Sequence, residues 1–113
     1  MRVFKAFFFS LSGMGFAWRD EAAFREVVLL AIVAIPAAFL LGFSPVGIAL
    51  LVLVHLLSLV VELLNTAIEA AVDHTSLAHS MLAKKAKDCG SAAQLITLGG
   101  LVVLWGVNLS GYL

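Results

Sequence analysis

The stretch from His55 to Asp73 reads HLLSLVVELLNTAIEAAVD, and the placement of its polar residues decides the fold. Wound as a helix at about 100° per residue with Glu62 at zero, His55 falls near +20°, Ser58 near −40°, Asn65 near −60°, Thr66 near +40°, Glu69 near −20° and Asp73 near +20°. These polar side chains share one sector about 100° wide. Leu56, Leu57, Val60, Val61, Leu63, Leu64, Ala67, Ile68, Ala71 and Val72 fill the rest of the circumference. On a soluble helix such a pattern separates solvent from core. Here it ends a long apolar run, where carboxylates and an amide at membrane depth need a reason to be there.

Composition supports a membrane setting. The 113 residues are 63% hydrophobic and only 12% charged. A single small domain cannot bury that much apolar side chain, so lipid must cover part of it. The formal net charge is zero, which leaves no electrostatic footprint for nucleic acid. A lone cysteine, Cys89, excludes an intrachain disulfide framework and a cysteine-based zinc cluster. Arg2 and Lys5 followed by apolar residues superficially resemble a signal peptide. Ser10, Ser12, Gly13 and Gly15 interrupt that stretch, however, and no small-x-small site precedes Arg19-Asp20-Glu21, so no cleavage is expected.

Taken in order, residues 2–18 read as an interfacial amphipathic helix. Phe4, Phe7, Phe8, Leu11, Met14 and Trp18 follow helical spacing, away from Arg2, Lys5 and Ser12. Aromatic rings and cationic tips suit the membrane–water boundary. A charged junction, Arg19 to Glu26, follows. Val27 to Val61 then contains no Asp, Glu, Lys or Arg. At ~1.5 Å per residue this run exceeds a hydrocarbon core of ~30 Å, so it should form two spans. Gly42-Phe43-Ser44-Pro45 marks the turn, with Pro45 able to start a helix. The expected spans are residues 27–43, 46–72 and 92–113 of one domain covering 1–113. In the last of them Gly99, Gly100 and Gly106 are expected to allow close helix approach. The architecture is therefore all-α and integral to the membrane, a surface helix followed by three transmembrane helices.

Basic residues set the expected topology. Arg2, Lys5, Arg19 and Arg25 precede the first span, and Lys84, Lys85 and Lys87 lie between the second and third. The turn at 42–45 and the tail carry no Lys or Arg. The positive-inside rule places the N-terminus and the lysine segment in the cytoplasm and the C-terminus outside. Glu21, the Glu62/Glu69 end of the stripe and Lys87-Asp88 then gather at the cytoplasmic face, where nucleotides are available.

Soluble site motifs are absent: the sequence has no GxxxxGK(S/T) loop, no HExxH and no nucleophile elbow. Acidic oxygens are the chemistry on offer. Glu21 and Glu69 can reach one interfacial plane, and two carboxylates with phosphate oxygens and water suit Mg2+. Glu62 lies two turns, about 10 Å, deeper, where a carboxylate can take a proton from an alcohol. Asn65 can orient a carboxylate or a substrate oxygen. Lys87 and Asp88 can neutralise phosphate charge and complete a ligand network. His55 is expected to hydrogen-bond within the bundle.

Glu62-Leu63-Leu64-Asn65-Thr66-Ala67-Ile68-Glu69-Ala70-Ala71-Val72-Asp73 closely resembles the E-x-(L/I/M)-N-(S/T)-A-I-E-x-x-(V/I)-D signature of prokaryotic diacylglycerol kinases. Glu21-Ala22-Ala23-Phe24-Arg25 and Lys87-Asp88-Cys89-Gly90-Ser91-Ala92-Ala93 match two further blocks in the same order, and Arg2-Val3-Phe4-Lys5-Ala6 resembles the basic start. The resemblance covers nearly the whole chain. It implies a homotrimeric helical bundle in the bacterial inner membrane that phosphorylates diacylglycerol to phosphatidic acid with Mg2+ and ATP, in sites shared between neighbouring subunits. On the same resemblance, Glu62 is the catalytic base supported by Asn65, and Glu21 and Glu69 hold the metal. Arg2, Glu21, Glu69, Lys87 and Asp88 contact ATP, while Arg2, Ala23, Arg25, Glu62 and Ser91 line the lipid side.

The sequence departs from that pattern in places. Ala78-His79-Ser80 stands where the family often has E-(Y/F)-H, which leaves the nucleotide-base contacts open. Phe9 replaces an aromatic hydroxyl. The related undecaprenol kinases share the central signature, but Gly90-Ser91-Ala92 and Asp20 to Phe24 sit closer to the diacylglycerol branch. A polar-lined channel is the reading of another class. The apolar outer half of the second span, Val46 to Val54, argues against it, since a channel needs polar groups through both leaflets.

Overall fold

A computed structural model describes residues 1–75 and 80–113, and all regular structure among them is helical. The elements are α1 (Arg2–Asp20), α2 (Ala22–Leu40), α3 (Pro45–Thr75) and α4 (Met81–Ser110). The last three are each long and apolar enough to cross a membrane. Leu29, Ile32, Val33, Phe39, Leu53, Ile96 and Val102 are all exposed, as expected of side chains that meet lipid rather than water.

Local chemistry explains the boundaries. Glu21 interrupts α1 and α2 with an extended backbone. Between α2 and α3 the chain turns through Gly42, whose φ is 71°, a conformation open to glycine without a side-chain clash. Ser44 Oγ accepts from the Gly47 N–H at 3.0 Å, and Pro45 occupies the first helical position, so this turn supplies both a cap and a preset φ. Ser80 caps α4 by accepting from the Ala83 N–H at 3.0 Å. Helix α4 thus begins well before the apolar stretch expected to span, and carries Lys84, Lys85 and Lys87 on its first turns. Gly111, with φ 83°, ends it in a left-handed cap.

Helix α3 is the central element, packing against α4, α2 and α1, with α1 and the Leu63–Asp73 part of α3 sharing the walls of one cavity. Ala17, Phe24 and Val27 form a buried cluster with Leu59, Leu63 and Leu98 around it. That cluster ties the end of α1 and the start of α2 onto α3, which fixes Glu21 over the second half of α3.

Antiparallel α3 and α4 meet through two asparagine–glycine contacts. A Cβ at Gly90 would overlap the Asn65 side chain, and one at Gly47 would overlap that of Asn108. Each glycine lets an amide lie against backbone where any larger residue would hold the helices apart. Gly99, Gly100 and Gly106, expected to allow close approach, have nothing within 4 Å of a Cβ position. They face outward from the chain, because the register places Gly90 and Gly47 at the α3–α4 seam instead.

Candidate active site

Helix periodicity puts the polar stripe of α3 on one side, and the fold divides that side in two. The deeper half turns into α4: His55, Ser58 and Glu62 are buried, at 0, 0 and 6% exposure. The outer half, Asn65, Thr66 and Glu69, is half-buried, and Asp73 is exposed. A lone chain therefore already shields the most costly groups of the stripe from lipid.

The outer half opens onto a cavity of about 700 Å³ between α1, the Glu21 junction and α3, lined by Asp20, Glu21, Thr66, Glu69 and Asp73 among polar residues. Phe16, Ala17 and Leu63 supply part of its apolar wall. The site is thus acidic on one side and greasy on the other, which suits a charged cation–phosphate group meeting a lipid. Asn65 Nδ2 donates to Glu69 Oε1 at a long 3.4 Å.

Electrostatics at Glu21 report the crowding of carboxylates. Burial first, then the negative charges of Glu69, Glu62 and Asp20, hold its carboxyl above the ordinary carboxylate range, with Arg25 opposing. A cation between Glu21 and Glu69 would relieve that repulsion. Among the described residues no three Asp, Glu, His or Cys side chains converge on a single point. The chain thus offers two carboxylates and leaves other positions to water and phosphate oxygens, a donor set that fits Mg2+.

The sign of the Glu21 shift gives a test. A carboxyl raised in the folded state contributes stability at low pH, and that contribution is lost as pH rises through the window from its unfolded to its folded pKa. Metal-free protein in detergent should therefore lose thermal stability as pH rises through the range just above the ordinary carboxylate value. Added Mg2+ should restore it on the alkaline side, and Glu21→Gln should flatten both responses. Melting curves at stepped pH, with and without Mg2+, read this directly; a Glu21→Gln protein with the parent's pH response would refute it.

Glu62 sits one turn below Thr66, beneath the cavity. Gln94 of α4 reaches it: Nε2 donates to Glu62 Oε2 and to the Ser58 carbonyl, both at 2.9 Å. Gln94 was not among the residues the sequence reading selected. Its signal was available, since an amide inside an apolar span needs a partner, but the partner depends on the α3–α4 register. Deeper still, Trp105 Nε1 donates to His55 Nε2 at 3.1 Å, which gives His55 the bundle partner expected of it and assigns its proton to Nδ1.

The remaining site candidates lie apart from the cavity wall. Lys87 pairs with Asp73 at 2.8 Å, which brings its ammonium to the rim, while Asp88 is exposed and paired with Lys84. The hydrogen bond to Asp73 raises the Lys87 pKa, so its charge persists. Arg25 Nη1 donates to the carbonyls of Trp18 and Arg19 at 2.7 and 3.1 Å, satisfying the last turn of α1. Arg2, Ala23 and Ser91 are exposed on α1, α2 and α4. Ala78 and His79, the departure flagged for base contacts, lie outside the described residues.

Known proteins align with this chain along almost all of its length. A family profile described as prokaryotic diacylglycerol kinase matches residues 8–109. A Pseudomonas aeruginosa diacylglycerol kinase is 52% identical over 110 residues, 97% of this chain and 89% of that protein. One from Helicobacter pylori is 49% identical over 105 residues, 93% and 82% of the two chains. One from Escherichia coli K12 is 38% identical over 108 residues, 96% and 88%. With the profile spanning the acidic junction, the striped helix and the antiparallel partner that buries Glu62, the chain belongs to the prokaryotic diacylglycerol kinase family.

Proposed function

We propose that this chain transfers the γ-phosphoryl group of ATP to the free hydroxyl of diacylglycerol, giving phosphatidic acid and ADP. The observation that carries the reading is Glu62, a buried carboxylate inside an apolar helix, beneath a cavity walled by Glu21 and Glu69. Such a group has no packing advantage over leucine, and its placement suits a proton acceptor that a lipid alcohol reaches from the membrane.

Glu62 acts as the base that orients and deprotonates the hydroxyl, and Asn65 supports it from the next turn. Glu21 and Glu69 hold the divalent cation, Mg2+, which when bound neutralises charge on the phosphate oxygens. Lys87, Asp88 and Arg2 contact the nucleotide. Arg2, Ala23, Arg25 and Ser91 line the lipid side. Residues 1–113 act as one lipid-kinase domain, with α1 lying at the interface and α2, α3 and α4 crossing the bacterial inner membrane. The basic residues of α1 and the start of α4 support a cytoplasmic N-terminus and an external C-terminus. The half-open Asn65–Glu69 side and the exposed apolar faces support closure by further copies, in a homotrimer.

Purified protein in mixed micelles, assayed with labelled ATP against diacylglycerol and undecaprenol, tests the reading. Label in phosphatidic acid, with little in the isoprenoid product, is the expected result. Transfer to undecaprenol alone would replace the substrate, and no transfer to either alcohol would end the kinase reading.

A further inference from the structure

We propose that Gln94 is the positioning residue for the Glu62 carboxylate, holding Oε2 so that Oε1 faces the incoming lipid hydroxyl. The inference rests on the reading of Glu62 as the base. It adds to the reaction a residue of α4 that lies one position beyond the Lys87–Ala93 stretch.

Three features carry it. First, Gln94 is itself buried, at 8% exposure, and both hydrogens of its amide are committed, one to Glu62 Oε2 and one to the Ser58 carbonyl. Two acceptors one helical turn apart admit only the NH2 group, so the orientation of the amide is determined. Second, Gln94 Oε1 is buried with no hydrogen-bond partner. A side chain serving only to join helices would gain nothing from stranding an acceptor in this way, since an unmet buried acceptor is costly. The orientation is dictated by the Glu62 carboxylate together with the Ser58 carbonyl. Third, the register is locked next to the contact. Asn65 lies against Gly90, three residues from Glu62 on α3 and four from Gln94 on α4, so the two helices cannot slide without breaking that contact.

The consequence for reactivity follows from geometry. A glutamate has several rotamers, and a base must present one oxygen within hydrogen-bond reach of the proton it takes. With Oε2 held by Gln94 and no described residue donating to Oε1, one oxygen is left for substrate. Glu21, at the α1–α2 junction, lies near enough for its charge and that of Glu62 to repel each other, and Gln94 supplies the hydrogen bond donated to the Glu62 carboxylate.

The test uses Gln94→Met, which keeps length and removes both hydrogens, and Gln94→Asn, which keeps an amide one methylene too short. Each is expected to lower kcat by about tenfold to a hundredfold, the range for losing a hydrogen bond to a charged group. The KM for MgATP should stay near the parent value, which also reports that the protein is folded. In a Glu62→Asp background, whose carboxylate is withdrawn from Gln94, the same substitutions should change kcat by less than about twofold. A parent-like kcat in Gln94→Met, or an equal loss in the Glu62→Asp background, overturns the proposal. Glu62→Gln separates the two readings: if it retains turnover the base assignment itself fails, whereas inactivity of Glu62→Gln with a normal Gln94→Met defeats only the positioning role.

Discussion

Glu62→Gln is expected to lower turnover at least about a thousandfold, within the range for removing a general base, while MgATP affinity changes less than about threefold. The substitution is nearly isosteric. A glutamine at 62 can still present an oxygen to the Gln94 amide, so the α3–α4 seam and the Asn65–Gly90 contact should survive. What disappears is the carboxylate that, among the described residues, lies in the buried part of the seam and can accept a proton from an alcohol. His55 lies further along the seam and already accepts from Trp105, so it cannot substitute. Steady-state rates of ADP formation in mixed micelles, paired with calorimetric titration of MgATP, measure both halves. Turnover within tenfold of the parent would rule out Glu62 as the base, and a matching collapse of nucleotide binding would point to a misfolded seam.

Glu69→Gln should produce the opposite split. Here kcat at saturating Mg2+ should fall less than the affinity for MgATP, which should weaken at least about a hundredfold. Outer-shell partners of a metal typically cost 10–100-fold when removed, and a direct ligand should cost no less. Glu69 stands at the cavity wall opposite Glu21, so its removal leaves a single carboxylate for the cation. Its loss also removes one source of the repulsion on Glu21, so the apo protein should become more stable at neutral pH even as it loses nucleotide affinity. Rate measurements at stepped free Mg2+ check this: the half-saturating concentration should move upward, and an unchanged Mg2+ dependence would exclude Glu69 as a ligand.

The acidic cavity was largely legible beforehand. Glu62, Asn65 and Glu69 lie on one face because of helix geometry alone, and Glu21 precedes an apolar segment that had to return to the same interface. Gln94 was not legible, and neither was the role of Gly90. Both depend on which residue of α4 lies opposite Glu62, and nothing local to either segment encodes that. Small residues at 99, 100 and 106 carried as plausible a packing signal as Gly90 did. The choice between them was made by two asparagines, Asn65 and Asn108, each needing a glycine on the facing helix.

The same division holds for the stripe as a whole. Periodicity and composition by themselves determined that α3 carries a polar sector inside a membrane-scale apolar run, because a helix repeats every 3.6 residues whatever surrounds it. They also determined the number of apolar helices, because a length of lipid-compatible chain without charges can be read directly. Only the tertiary structure decided that the sector is split, with His55, Ser58 and Glu62 sealed against Trp105 and Gln94 while Thr66 and Glu69 open to a cavity under Glu21. Burial and hydrogen bonding are properties of facing surfaces, and the register of α3 on α4 brings those surfaces together.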